Sequence, residues 1–160
     1  MAALLGELFP DVYAGVGVHS GLASGCATDL RSGLAAMRGG ARPGTVPSGV
    51  PTIVFHGDQD GIVSPVNGRH VMDAAFGRDC LRQSHQEAGP DGRTFTRHAY
   101  GGAGALSARG EHWVLHGADH RWSGGHADGS YADPRGPDAS EEMLRFFKAL
   151  PVAARASVRS

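Results

Sequence analysis

The chain has 160 residues, 41% of them hydrophobic and 19% charged, with a formal net charge of −1. That is long enough for one domain with a real core. The near-neutral balance gives no electrostatic case for nucleic acid or an anionic membrane surface as a partner. No apolar run approaches the ~20 residues of a membrane span, and the N-terminus lacks the basic-then-apolar layout of a signal peptide. The 25 glycines follow no period, which fits a loop-rich, enzyme-like domain better than a fibre. Cys26 and Cys80 lack metal-like spacing and leave two possibilities open, one bridge or two free thiols.

In chain order, Met1 to Leu8 is helix-like, and Phe9-Pro10-Asp11 ends it because proline cannot continue a helix. Val12 to Val18 is a predicted strand whose apolar character suits burial on both faces of a parallel sheet. His19-Ser20-Gly21 leaves it as a loop. Asp29 to Met37 is a short helix with Thr28 or Asp29 as its cap, and Gly39 to Pro51 is a connector. Pro51 to His56 is a second apolar strand, followed by the loop Gly57 to Pro65 and a helix over Asn67 to Phe76 that Gly77 stops. Arg78 to Arg93 is polar and irregular. Thr94 to Tyr100 alternates as a strand, Gly101 to Gly110 is a loop, and Glu111 to Leu115 is a strand again. These last two strands form either a long-looped hairpin or plain sheet neighbours. Gly117 to Gly125 is a second glycine-flanked loop, and Gly125 to Pro137 is rich in glycine and proline. Asp138-Ala139-Ser140-Glu141 reads as a capping box, and Met143, Phe146, Phe147 and Leu150 form an amphipathic stripe behind it. Residues 1–150 make one domain and 151–160 a frayed tail. The alternation of helices and strands predicts an α/β architecture with a mainly parallel sheet, and in such sheets functional groups collect at the carboxyl ends of strands.

Two residues at those ends carry the chemistry. Asp60 follows the second strand within His-Gly-x-x-Asp-x-x-Val. His120 follows the last strand in Gly-x-x-His-x-Trp. A carboxylate that accepts the imidazole N–H fixes its tautomer and stabilises the cation formed on taking a proton, so an acid and then a base in this order make the Asp–His half of a hydrolase triad. Alone, an aspartate in a turn is usually a cap or Asx-turn residue, and with nine histidines in the chain an arbitrary one is more often structural.

These pieces resemble the C-terminal part of the poly(3-hydroxybutyrate) depolymerase family of esterases, with feruloyl and acetylxylan esterase relatives. The matching segments are Phe9 to Ala14, Gly17 to Gly21, Pro51 to Asp60, Glu111 to Trp113, Gly117 to Gly125 and Asp133 to Ser140, in family order. The resemblance implies the C-terminal half of an α/β-hydrolase fold, with Asp60 as triad acid, His120 as base, and Trp122 either shaping the acyl pocket or packing beside the loop. It implies a serine-type carboxylic ester hydrolase acting on a small or polymeric ester, secreted, and needing no cofactor. The departure is the nucleophile. No serine stands in a Gly-x-Ser-x-Gly elbow. Ser20 is a poor substitute, since Val18 replaces the first glycine and no long helix follows. The family layout puts the missing serine just upstream of Met1, together with the oxyanion-hole loop. The chain is then expected to be a fragment that hydrolyses no ester alone and self-associates through the open edge of strand 12–18.

Two other classes are weighed. His116 and His120 are spaced i, i+4, which suits zinc on a helix, but Gly117 and the preceding strand argue against a shared helical face. A non-catalytic binding module derived from the same fold, or a peptidase on that fold, is the alternative to the esterase.

Overall fold

The computed structural model describes residues 1–40, 47–78, 80, 82–89, 92–101 and 109–151. Its elements, in chain order, are α1 (Ala2–Leu8), β1 (Val16–His19), α2 (Leu30–Gly39), β2 (Thr52–Gly57), α3 (Val66–Phe76), β3 (Arg82–Ala88), β4 (Thr94–Tyr100), β5 (Gly110–Leu115), β6 (Trp122–Ser123), β7 (Ala132–Asp133) and α4 (Ala139–Ala149). Five strands form one sheet in the order β1-β2-β5-β4-β3. β1, β2 and β5 run parallel, whereas β4 and β3 are antiparallel additions. The chain is therefore mixed α/β, and the expected mainly parallel sheet is parallel over three strands only.

The apolar runs explain the centre. Every residue of β2 is buried, as a strand covered on both faces requires. On one face α4 brings Phe146 and Leu150 against Ile53, Phe55, Phe95, Trp113 and Leu115. Buried Glu111 accepts from Trp113 Nε1 at 3.0 Å and from Arg145 Nη2 of α4 at 2.6 Å, which pairs its charge and docks the helix. On the other face Val18, Val54 and Tyr100 meet Val71 and Met72 of α3. α1 lies tight on β1, because a Cβ at Gly6 would sit 2.5 Å from Val16 Cγ1.

Three expectations change. The first strand is Val16–His19 rather than 12–18. The Phe9 carbonyl accepts from both Val12 and Tyr13 N–H, so a turn holds these apolar residues, and they stay 53% and 40% exposed. The polar stretch after Arg78 contains strand β3, whose residues 83–88 are all exposed. It is held by its ladder to β4 rather than by a buried face. At α4, Asp138 caps Ser140 and Glu141 N–H, but the two-way box is found at α2, between Asp29 and Ser32. Of the two possibilities left open for Cys26 and Cys80, the structure shows the one without a disulfide. β4 and β5 do pair as antiparallel neighbours, from Tyr100↔Gly110 to Phe95↔Leu115. The expectations for 41–46, 102–108 and the tail 152–160 lie outside the described residues.

β1 is an edge of the sheet. Val16 and Ser20 N–H bond to the Pro51 and Phe55 carbonyls of the β2 segment, so the alternate backbone groups of Gly17 and His19 point away from it. Among the described residues no strand pairs with that side.

Candidate functional site

β2 and β5 are adjacent and parallel, so the loops that follow them leave the sheet together. Their backbones are stitched: Asp58 N–H donates to the Leu115 carbonyl and Gln59 N–H to the Ala118 carbonyl, both at 3.0 Å. Gly57 permits this approach, because a Cβ there would collide with the Ala118 carbonyl group. Gly117 turns the second loop with φ +69°, a conformation that suits glycine.

Across this seam His120 Nδ1 donates to Asp60 Oδ2 at 2.8 Å. The Asp60 side chain is 0% exposed and that of His120 40%. Asp60 Oδ1 accepts from the N–H groups of Ile62 and Val63, both at 2.9 Å. Burial alone would raise its pKa, but the hydrogen bonds from His120, Val63 and Ile62 outweigh that and hold it below the ordinary carboxylate value. A buried, ionised acid thus claims Nδ1 of a half-exposed imidazole. With the proton on Nδ1, Nε2 carries a lone pair and can accept a proton.

His120 lines an open depression of about 440 Å³, shared with Met1, Leu4, Ser20, Cys26 and Val63. Ser20 stands at the end of β1 and is the one non-glycine residue with positive φ, +49°, among the described residues. Its Oγ is buried without a hydrogen-bond partner, so Ser20 is not bonded to His120. Trp122 lies apart from the depression's wall. Its ring stacks on His19 with centroids 4.7 Å apart, and its Nε1 donates to Ser140 Oγ at 3.3 Å. Of the three predicted site residues, Asp60 and His120 are in direct contact, whereas Trp122 stacks on His19.

Residues not singled out in the sequence complete the surroundings. His19 Nε2 accepts from Ser123 N–H at 3.0 Å, so this nitrogen carries no proton. Burial first, then the neighbouring His56 and His120, lower the His19 pKa to about 4, and the ring is neutral at pH 7. His56 Nε2 donates to the Val63 carbonyl at 2.9 Å. The sequence signal for His19 was a histidine at the end of an apolar strand, and His56 also heads the His-Gly-x-x-Asp-x-x-Val segment that holds Asp60 and Val63.

His116 does not converge with His120. Its Nδ1 contacts Asp58 Oδ2 and its Nε2 contacts Thr96 Oγ1, both at 2.9 Å, while Asp58 Oδ1 accepts from Gly117 N–H at 2.7 Å. The two histidines of the i, i+4 pair thus serve two separate carboxylates.

A scan against protein-family models finds no match, and a search of curated proteins finds none either.

Proposed function

We propose that this chain is the acid–base half of a serine-type carboxylic ester hydrolase, folded as the C-terminal half of an α/β-hydrolase. The observation that carries the proposal is the 2.8 Å contact between buried Asp60 and half-exposed His120 at the ends of adjacent parallel strands, with Nε2 left to act. In the reaction His120 Nε2 takes the proton of a serine hydroxyl as its oxygen bonds to the ester carbonyl carbon. His120 then returns that proton to the departing alcohol, and water repeats the sequence on the acyl-enzyme. Asp60 holds the tautomer and stabilises the imidazolium; it keeps its own charge throughout. No cofactor enters this chemistry.

The nucleophile is proposed to come from residues preceding Met1 in a longer protein, since none of the serines here lies in Gly-x-Ser-x-Gly. The position of Met1 and Leu4 in the wall of the depression that His120 lines supports this source, because a segment joined to Met1 would enter beside the base. The test is to express the 160-residue chain and a form extended by its upstream coding sequence. Both are assayed on p-nitrophenyl butyrate and treated with a fluorophosphonate. Turnover and labelling in the extended form alone, lost in His120→Ala, is the expected result. Absence of both from a folded extended form would overturn the hydrolase and favour a non-catalytic module.

A further inference from the structure

We propose that His56 is a positioning residue for the Asp60–His120 pair, a neutral strut whose Nε2–H fixes the 60–63 turn and the carboxylate within it. His56 is 1% exposed and occupies β2, where the four preceding residues are Thr52, Ile53, Val54 and Phe55. An apolar side chain would suit that place. Instead the ring sets Nε2 at 2.9 Å from the Val63 carbonyl and 3.4 Å from Asp60 Oδ2. Both partners can only accept, so Nε2 carries the hydrogen.

The opposite edge of the ring fixes the same tautomer. His56 Nδ1 is buried without a hydrogen-bond partner. The α3 backbone closes over it at Gly68, where a Cβ would fall 3.1 Å from His56 Nδ1 and 2.7 Å from His112 Nε2. A proton there would be stranded, and Nε2 would then turn its lone pair on two acceptors. Burial also depresses the His56 pKa, against the raising influence of the Val63 carbonyl and Asp60. The titratable groups around the ring are thus Asp60, His19, His112 and His120, and His56 stays a neutral donor through the neutral pH range. An orphaned nitrogen kept inside a strand is a cost that an apolar residue would avoid. What it secures is the turn: Val63 donates its N–H to Asp60 Oδ1 while its carbonyl is held by His56, so the carboxylate is fixed through Val63 as well as directly. Geometry this tight is what a base-orienting acid needs. The catalytic consequence rests on the hydrolase proposed above; the geometric role does not.

The test uses the 160-residue chain, so it is independent of turnover. In ¹⁵N-labelled protein, His56 is expected as the neutral Nε2–H tautomer from pH 6 to 8, and the His120 Nδ1–H as a low-field proton protected from exchange by Asp60. His56→Leu should speed exchange of that His120 proton at least tenfold, or abolish its signal. His56→Gln, whose amide N–H reaches toward the place of Nε2, should restore it to within twofold of wild type. An Nδ1–H tautomer or a charged His56 in the wild type overturns the proposal, and that measurement stands even where the leucine variant does not fold. A His120 signal unchanged in folded His56→Leu, or lost equally in the glutamine and leucine variants, overturns it too.

Discussion

Two aspartate–histidine pairs lie side by side on the same loops, and their surroundings differ. Asp60–His120 and Asp58–His116 have the same Nδ1-to-carboxylate geometry, at 2.8 and 2.9 Å. In the first the acid is fully buried, no described residue bonds the second imidazole nitrogen, and the ring lines a depression. In the second the two side chains are 32% and 33% exposed, and Thr96 takes the other ring nitrogen. An imidazole with both nitrogens engaged links strands; one with a free Nε2 can move a proton. The dyad alone is therefore not the signature of a base. The burial of its acid and the vacancy on its second nitrogen are.

The comparison can be broken most forcefully by changing each acid. In the nucleophile-bearing form of the protein, Asp60→Asn should lower kcat/KM by about 10⁴-fold, the usual cost of the wrong tautomer, whereas Asp58→Asn should leave it essentially unchanged; steady-state kinetics on p-nitrophenyl butyrate decide. A pH titration of stability probes the ring beneath Trp122. His19 has a depressed pKa, so the unfolded chain takes up a proton that the folded one refuses as pH falls from about 6.5 toward 4. The stability present above pH 6.5 should drop across that window by the order of 3 kcal/mol, and His19→Phe should remove this component in urea melts at pH 7 and pH 4.5. Asp60 is depressed as well, so its contribution is also lost on acidification, below the ordinary carboxylate range. Gly57→Ala strikes the seam common to both pairs and should destabilise by about 2–3 kcal/mol through the clash with the Ala118 carbonyl. Smaller effects sharpen the contrast. His116→Ala should cost about 1–2 kcal/mol by unmaking two hydrogen bonds, and Thr96→Val about 1 kcal/mol, each leaving turnover intact. His120→Ala should invert that pattern, abolishing turnover with little change in melting temperature.

The central strands were legible through their apolar residues: Ile53, Val54 and Phe55 of β2 and Trp113 and Leu115 of β5 fill the core. Asp60 and His120 were legible through their glycine-flanked positions after those strands. β3 was not, since Gln83 to Ala88 bury no face and owe their conformation to hydrogen bonds with β4. Val12 and Tyr13 read as strand because they are apolar, yet the Phe9 carbonyl captures both their N–H groups in a turn. The distinction between His116 and His120 was out of reach as well. It depends on Thr96, some twenty residues away on an antiparallel neighbour, and only the register of β4 against β5 brings that hydroxyl to the ring. His56 and Val63 stood in the quoted His-Gly-x-x-Asp-x-x-Val segment, but the bond between them, seven residues apart, was not legible from it.

The sheet has two unlike margins. β3 presents exposed polar side chains along one, and β1 presents the unclaimed backbone of Gly17 and His19 along the other. Among the described residues neither margin is paired with a further strand, and the apolar β1 margin is the more adhesive of the two. Two copies that met along Val16–His19 would cover each other's apolar edge and leave the polar β3 borders outward.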